Sequence, residues 1–247
     1  MMLDVNQHGQ FAAQYPSFGH INQLNSVANA NYNALQTTFR VRTLHGLSAQ
    51  FAYTWAHALD MDTDYRHVLP LDSANLKQEY GNGDFDTRHN FTSFFTYDVP
   101  KASWASGWSG RLVNGWQVST LISLHSGQPF GGSPRPSLNQ VADPFAGVSH
   151  AFSKSGVTWI NPSAFVSAGT DPVTGIALPG NVTRNKYYGP SFKDVDLSVI
   201  KNIPIRERLK VQLRAEMYNL FNRINLASPG PMPGEAFNLQ LVAKIIF

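Results

Sequence analysis

The C-terminal stretch, residues 237–247, carries the pattern that most constrains the fold. Every second residue in it is apolar, beginning and ending on phenylalanine, and the residues between are mixed. A period of two indicates a β-strand with one apolar face. Such a strand running to a final aromatic residue is typical of a transmembrane β-barrel, whose strands of about ten residues alternate between apolar and polar positions. The alternative is the core strand of a soluble β-sandwich that happens to come last.

Composition favours the barrel and excludes several other classes. Charged residues make up 14% of the chain, against about 25% in soluble domains, and mean hydropathy is −0.22. No run approaches the ~20 apolar residues of a transmembrane helix. The net charge of +3 is small and scattered, so nothing indicates nucleic-acid binding. The chain has no cysteine, which excludes disulfides and thiolate chemistry.

The same alternation predicts seven antiparallel strands, and therefore an all-β, up-and-down transmembrane barrel segment that forms an open, curved sheet. The strands are expected at about 32–43, 47–58, 89–99, 115–125, 192–201, 207–219 and 237–247. Residues 44–46 and 202–205 read as tight turns, whereas 59–88 and 126–191 read as long loops. Short and long connections alternate along the chain, as in barrels with short periplasmic turns and long extracellular loops.

Each predicted strand has an apolar and a polar side. In the sixth strand Leu209, Val211, Leu213, Ala215 and Met217 are expected to face lipid. The polar side is expected to face the lumen, with Arg40, Arg42, Gln50, Gln117, Lys210, Gln212, Arg214, Glu216 and Lys244 on it. Four apolar exceptions, Phe94, Leu121, Val242 and Ile246, fall on the same side.

The strand count is odd, whereas single-chain bacterial barrels have an even number of strands. The N-terminus also lacks the basic and apolar regions of a signal peptide. We therefore expect residues 31–247 to be the C-terminal part of a longer barrel, and residues 1–30 to be an extracellular loop or strand remnant. An eighth strand within residues 1–30, in a small self-sufficient barrel, is the alternative.

Several motifs, in this order and spacing, resemble the TonB-dependent outer-membrane receptors of the Oar-like group. They are NYNALQ (31–36), HGLS (45–48), YTWAHALD (53–60), DTRHNF (86–91), GWQ (115–117) with SGQPF (126–130), WINPSAF (159–165), GN and RN (180–185) with GP (189–190) and DLS (196–198), and RAEMYNLFN (214–222). The resemblance implies a barrel of about 22 strands with an N-terminal plug. It also implies energy-coupled transport by the whole receptor, with TonB contacted through the part that these residues do not contain.

The C-terminal stretch separately resembles the terminal signature of bacterial outer-membrane proteins. That resemblance implies that Phe247, with Ile245 and Phe237, is read by the barrel-assembly machinery. The expected partners are thus outer-membrane lipid, the assembly machinery and the rest of the receptor.

No motif predicts an enzyme, a cofactor or a metal site. Asp60, Asp62 and Asp64 alternate as in a calcium loop but lack its glycine and distal glutamate, so a solvated loop is expected. Asp84, Asp86, Arg88 and His89 crowd the start of the third strand, and a salt-bridged loop end is expected rather than a catalytic dyad.

Four tryptophans, Trp55, Trp104, Trp108 and Trp116, suit an aromatic girdle, although they could also be carbohydrate platforms.

Three classes of function remain open on this evidence. They are a transporter fragment of unknown substrate, a carbohydrate-binding surface β-protein, and a β-rich hydrolase with no visible catalytic set.

Overall fold

The computed structural model describes residues 1–63, 69–131, 135–150, 157–206, 209–226 and, for the backbone alone, 238–246. Its main element is a sheet of seven long strands. They are β1 (Ala30–Leu44), β2 (Leu47–Asp60), β3 (His89–Asp98), β4 (Trp116–His125), β5 (Phe192–Arg206), β6 (Leu209–Tyr218) and β7 (Asn238–Ile246). Their order in the sheet is their order in the chain, and each neighbouring pair is antiparallel. The predicted all-β, up-and-down fold class is confirmed.

The register keeps the two predicted sides of the strands apart across the whole sheet. One row of paired positions runs Val41–Ala49–Phe95–Thr120–Leu197. The adjacent row lies one residue closer to the start of β1 and on the other side of the sheet. It runs Arg40–Gln50–Phe94–Leu121–Asp196. Because side chains alternate along a strand, a slip of one residue between any two strands would have mixed the two sides.

The β1–β2 hairpin follows from its turn residues. His45 and Gly46 both have positive φ, 49° and 87°, as a type I′ turn requires. Leu44 lies opposite Leu47, and a register shift separates that pair from Val41. Thr43, with φ of 44°, lies within this irregularity. The predicted tight connection at 44–46 is confirmed.

The predicted turn at residues 202–205 is wrong, because β5 continues through them to Arg206. Asn202, Ile203 and Pro204 pair with Gln212, Val211 and Lys210, and the register shifts between Pro204 and Arg206. The pairing of β5 with β4 ends at Lys201, so one edge of β5 has no strand beside Pro204 in the described part of the chain. A proline without an N–H is tolerated at such an edge.

Two shorter elements lie outside the seven predicted strands, one of them where a short extended piece is expected at about residues 18–27. Gly107–Val113 forms a helix, α1, between β3 and β4. Within residues 1–30, Met2–Asp4 pairs with Asn22–Leu24 as a separate two-stranded sheet. None of the described helices is long and apolar enough to cross a membrane.

The long connections 61–88, 126–191 and 219–237 all leave one end of the seven-stranded sheet, here named the loop end. The opposite end, with the β1–β2 hairpin and α1, is named the turn end. Short elements lie in the long connections: Gly81–Asn82 against β2, Pro129–Phe130 against Tyr187–Tyr188, Leu138–Gln140 against Phe165–Ser167, and single-turn helices at Leu76–Glu79 and Pro162–Ala164.

The outermost strands β1 and β7 run in the same direction. Ala30 pairs with Asp60 at the loop end, and Asn238 pairs with Tyr218 at the same end. Direct pairing of β7 with β1 would therefore be parallel, unlike every other pair in the sheet.

The tightest packing lies in the loops rather than on the sheet. Arg184, Ala164, Val182, Glu79 and Asp86 are 0–1% exposed. On the sheet, by contrast, large apolar side chains are exposed on both sides, among them Leu35, Phe39 and Leu213 on one and Phe94 and Leu121 on the other. The loops therefore form a packed unit that fixes the loop end of the sheet.

Candidate binding site at the loop end

Arg184 is the centre of the packed loops, named here the loop cluster (the described residues of 61–88 and 126–191). Its guanidinium forms ion pairs with Asp60 at 2.5 Å and Asp84 at 3.4 Å. It also donates to the carbonyl of Asp60 and to the hydroxyl of Thr63. Because an unpaired buried cation is very costly, these contacts bind the second long loop to the end of β2.

A second charged group joins the loops beside the start of β3. Asp86 accepts from Arg88 Nε at 2.9 Å, from the Tyr188 hydroxyl at 2.7 Å and from the N–H of Ala58 at 2.8 Å. Burial, together with the hydrogen bond to Asp86, raises the pKa of Tyr188 to about 12, although nearby Arg88 acts in the opposite direction. The predicted salt-bridged loop end is thus present.

Glu79 joins the same two loops at another point, and its carboxylate accepts two backbone N–H bonds. One comes from Leu71 at 2.8 Å and the other from Arg135 at 2.7 Å. The side chain of Arg135 in turn donates to the carbonyls of Val182 and Gly180. Glu79 therefore joins the two loops, and the Arg135 side chain fixes the second loop internally.

The backbones of the two loops approach too closely for side chains at some positions. A Cβ on Gly81 would lie 2.6 Å from the carbonyl oxygen of Arg184. Close by, Asn82 and Asn185 exchange amide-to-carbonyl bonds of 2.8 and 3.0 Å. Glycine at residue 81 is what permits this exchange.

The N-terminal segment is bound to the first long loop. Gln7 donates to the carbonyl of Leu71 and accepts from the N–H of Ser73. His8 lies 2.7 Å from the carboxylate of Asp72. The two-stranded N-terminal sheet thus packs at the loop end.

A cavity of about 290 Å³ opens below the loop cluster. Its floor comes from β1, β2 and β3 and includes Gln36, Thr54 and Asn90, which are paired neighbours in the sheet. They lie on the same side of the sheet as Arg40 and Gln50. Tyr32 and Phe85 also line it, 62% and 76% exposed. Asp86 borders the cavity, but both of its oxygens are already bonded. The cavity therefore offers neutral polar groups and aromatic surface to a small ligand.

Most of the residues predicted to face the lumen share this side in the register. Arg40 pairs with Gln50 and donates to it at 3.0 Å. Gln117 and Arg214 both pair with Ile200. The remaining predicted positions, apart from Arg42, lie on the same side of the sheet. In β6, Lys210, Gln212 and Glu216 pair with Pro204, Asn202 and Ser198 of β5. Lys244 of β7 pairs with Gln212. Arg42 falls within the β1 irregularity and has no register partner.

Other predicted residues are not brought together, or lie outside the described residues. His89 bonds to the hydroxyl of Tyr53 at 2.8 Å rather than to Asp86. Of the three alternating aspartates, Asp60 holds Arg184, whereas Asp64 is outside the described residues. No metal-binding group of three or more His, Asp or Glu occurs in the described ranges. Of the predicted assembly signal, Ile245 lies opposite Val211, and Phe237 and Phe247 fall outside the description.

Sequence reasoning missed the roles of Arg184, Glu79, Arg135 and Tyr188. Arg184 lies in one of the motifs on which the resemblance rests, and Asp86 and Arg88 lie in another. The presence of these charged residues in two of those motifs, in loops far apart in the chain, was the available signal.

An antiparallel sheet of consecutive strands, apolar on one side and joined by long loops at one end, defines a transmembrane β-barrel protein. The chain matches the family model described as outer membrane beta barrel domain over residues 3–238. It belongs to that family, which places it in the bacterial outer membrane. No curated protein and no solved structure gives a significant match.

Proposed function

We propose that this chain is the C-terminal part of the barrel of a TonB-dependent receptor of the Oar-like group. In this proposal the seven strands form part of the barrel wall, and the loop cluster forms part of the extracellular substrate site. Residues 1–30 belong to that extracellular surface. The chain itself has no enzymatic role, and TonB is contacted by another part of the receptor.

One observation carries this proposal: the ion-paired loop cluster borders a cavity on the polar side of the sheet, through Phe85, Asp86 and Thr87. Arg184, Asp86 and Glu79, each about 1% exposed or less, hold two long loops in one arrangement. Loops built this way preorganise a binding surface, which lowers the entropic cost of capturing a ligand.

The direction of the outer strands supports the larger barrel. β1 and β7 run in parallel, so antiparallel closure requires at least one further strand between them. In lipid each unpaired edge N–H or C=O costs several kcal/mol, so both edges need partners. The assignment to the Oar-like group rests on the motifs that resemble that group. These motifs include the loop residues Asp86, Arg88, Arg184 and Asn185.

The test compares the complete gene product with residues 1–247 expressed behind a signal peptide. The complete protein should insert as a heat-modifiable monomer and should bind the isolated periplasmic domain of TonB. Residues 1–247 alone should neither give a steady pore in planar bilayers nor bind that domain. A monodisperse, protease-resistant monomer of residues 1–247 with a steady single-channel conductance would refute the proposal and favour a small self-sufficient barrel.

A further inference from the structure

A second cavity, of about 420 Å³, lies at the turn end of the sheet, far along the strands from the loop cluster. It is bounded by the connection between β3 and β4 on one side and by β5 and β6 on the other. Its lining includes Lys101, Arg111, Lys210, Ser106, Asn114 and Asn202. The described residues that line it include three cations and no acidic side chain, so its charge favours an anion.

The two amides that line this cavity present donors. Asn114 Oδ1 accepts from the N–H of Ala102 at 2.6 Å, and Asn202 Oδ1 accepts from Gln212 Nε2 at 2.9 Å. With both carbonyl oxygens engaged, each side chain offers its NH₂ group to an occupant. The lining therefore combines three cationic groups with two amide donors and the hydroxyl of Ser106.

The walls of the cavity are fixed to one another. Buried Lys201 on β5 donates from Nζ to the carbonyls of Leu112 and Asn114, and its ammonium lies 4.8 Å from the ring centre of Trp116. The N–H of Asn202 donates to the carbonyl of Gly115 at 2.8 Å. The connection carrying Lys101 and Arg111 is thus attached to the strands carrying Asn202 and Lys210.

We propose that this cavity binds the phosphate group of an anionic ligand. Phosphate matches the lining because Lys and Arg make short, charge-assisted bonds to its oxygens, and amide and hydroxyl donors complete its coordination. Basic pockets at membrane surfaces bind lipid headgroups in this way.

The test uses the complete gene product purified in a non-ionic detergent, with two probes. Inorganic phosphate is titrated by calorimetry, and phosphatidylglycerol is compared with phosphatidylcholine by native mass spectrometry. Binding of phosphatidylglycerol alone identifies a lipid headgroup as the source, and binding of inorganic phosphate shows that the phosphate group suffices.

The variant Lys101→Gln/Arg111→Gln/Lys210→Gln should weaken binding by at least about tenfold, because it removes three charge-assisted contacts. A matched control, Lys77→Gln/Lys193→Gln/Arg223→Gln, removes three exposed cations at the loop end and should leave binding unchanged. Lys101→Arg/Lys210→Arg should retain it. The proposal is overturned if neither probe binds the native protein, or if the triple variant and the control weaken binding equally while both remain heat-modifiable.

Discussion

At the scale of single residues, the loop end is stabilised by buried charge. Arg184 is fully buried, and its two carboxylate partners are Asp60 at the end of β2 and Asp84 in the first long loop, with 14% and 38% of the side chain exposed. Buried pairs of this kind add little net stability compared with apolar packing, but removing one partner is costly. Their value here is specificity, because two loops of mixed composition are held in one arrangement.

Arg184→Met should open the loop cluster while leaving the sheet intact. It removes the cation and leaves Asp60 and Asp84 facing each other, at a cost of roughly 3 kcal/mol to the closed arrangement of the loops. Limited proteolysis within residues 61–88 should accelerate, measured on the complete protein in detergent. Arg223→Met, which replaces an exposed cation, is the control and should cleave at the native rate. Equal rates for Arg184→Met and the native protein would contradict a structural role for Arg184.

The loop cluster should also weaken at high pH through Tyr188. Its pKa is raised from 10.0 to about 12, so the closed loops favour the protonated phenol. The stabilisation is complete below pH 10 and is lost as pH rises through about 12. The ultraviolet absorption of tyrosinate, compared between the native protein and Tyr188→Phe, should show one tyrosine ionising late. A difference spectrum that appears near pH 10 would show that Tyr188 is not held in this way.

At the scale of elements, the strands could be predicted and the loop cluster could not. Side-chain alternation is local, so Leu209, Val211 and Leu213 identified β6 from sequence alone. The predicted turn at 202–205 was wrong because a proline usually interrupts a strand. Pro204 is tolerated within β5 because the neighbouring strand β4 ends before it, which the local sequence does not show. The partners of Arg184 lie 100 to 124 positions away, and no local pattern encodes such a pairing.

The two sides of β6 allow a matched test of the sheet's orientation. Leu213 lies opposite Lys201 and Ala243, in the row that is expected to face lipid. Arg214 lies in the next row and forms an ion pair with Glu216 at 2.8 Å. A charge on the lipid-facing side costs up to about 2–4 kcal/mol at the bilayer midplane and less toward the membrane surfaces, whereas changes on the lumen side cost little. Leu213→Arg should therefore reduce the folded, heat-modifiable fraction in lipid vesicles far more than Arg214→Leu. Similar losses in the two variants would show that the sides are wrongly assigned.

At the scale of the whole molecule, the two ends of the seven-stranded sheet carry different structural features. The loop end carries ion-paired loops above a neutral cavity, and the turn end carries a short helix, exposed tryptophans and a cavity with three cations. From this asymmetry we expect the loop end to face the medium and the turn end to face the periplasm.

Cysteine labelling tests this orientation most directly, because residues 1–247 contain no cysteine and any cysteine elsewhere in the complete protein can first be replaced by serine. Val173, 91% exposed in the second long loop, and Ser103, exposed in the connection between β3 and β4, are each replaced by cysteine in the complete protein. A membrane-impermeant maleimide on intact cells should label Val173→Cys at once, and Ser103→Cys after the outer membrane is permeabilised. Labelling of Ser103→Cys on intact cells, or protection of Val173→Cys there, would show that the two ends of the sheet are oriented the other way.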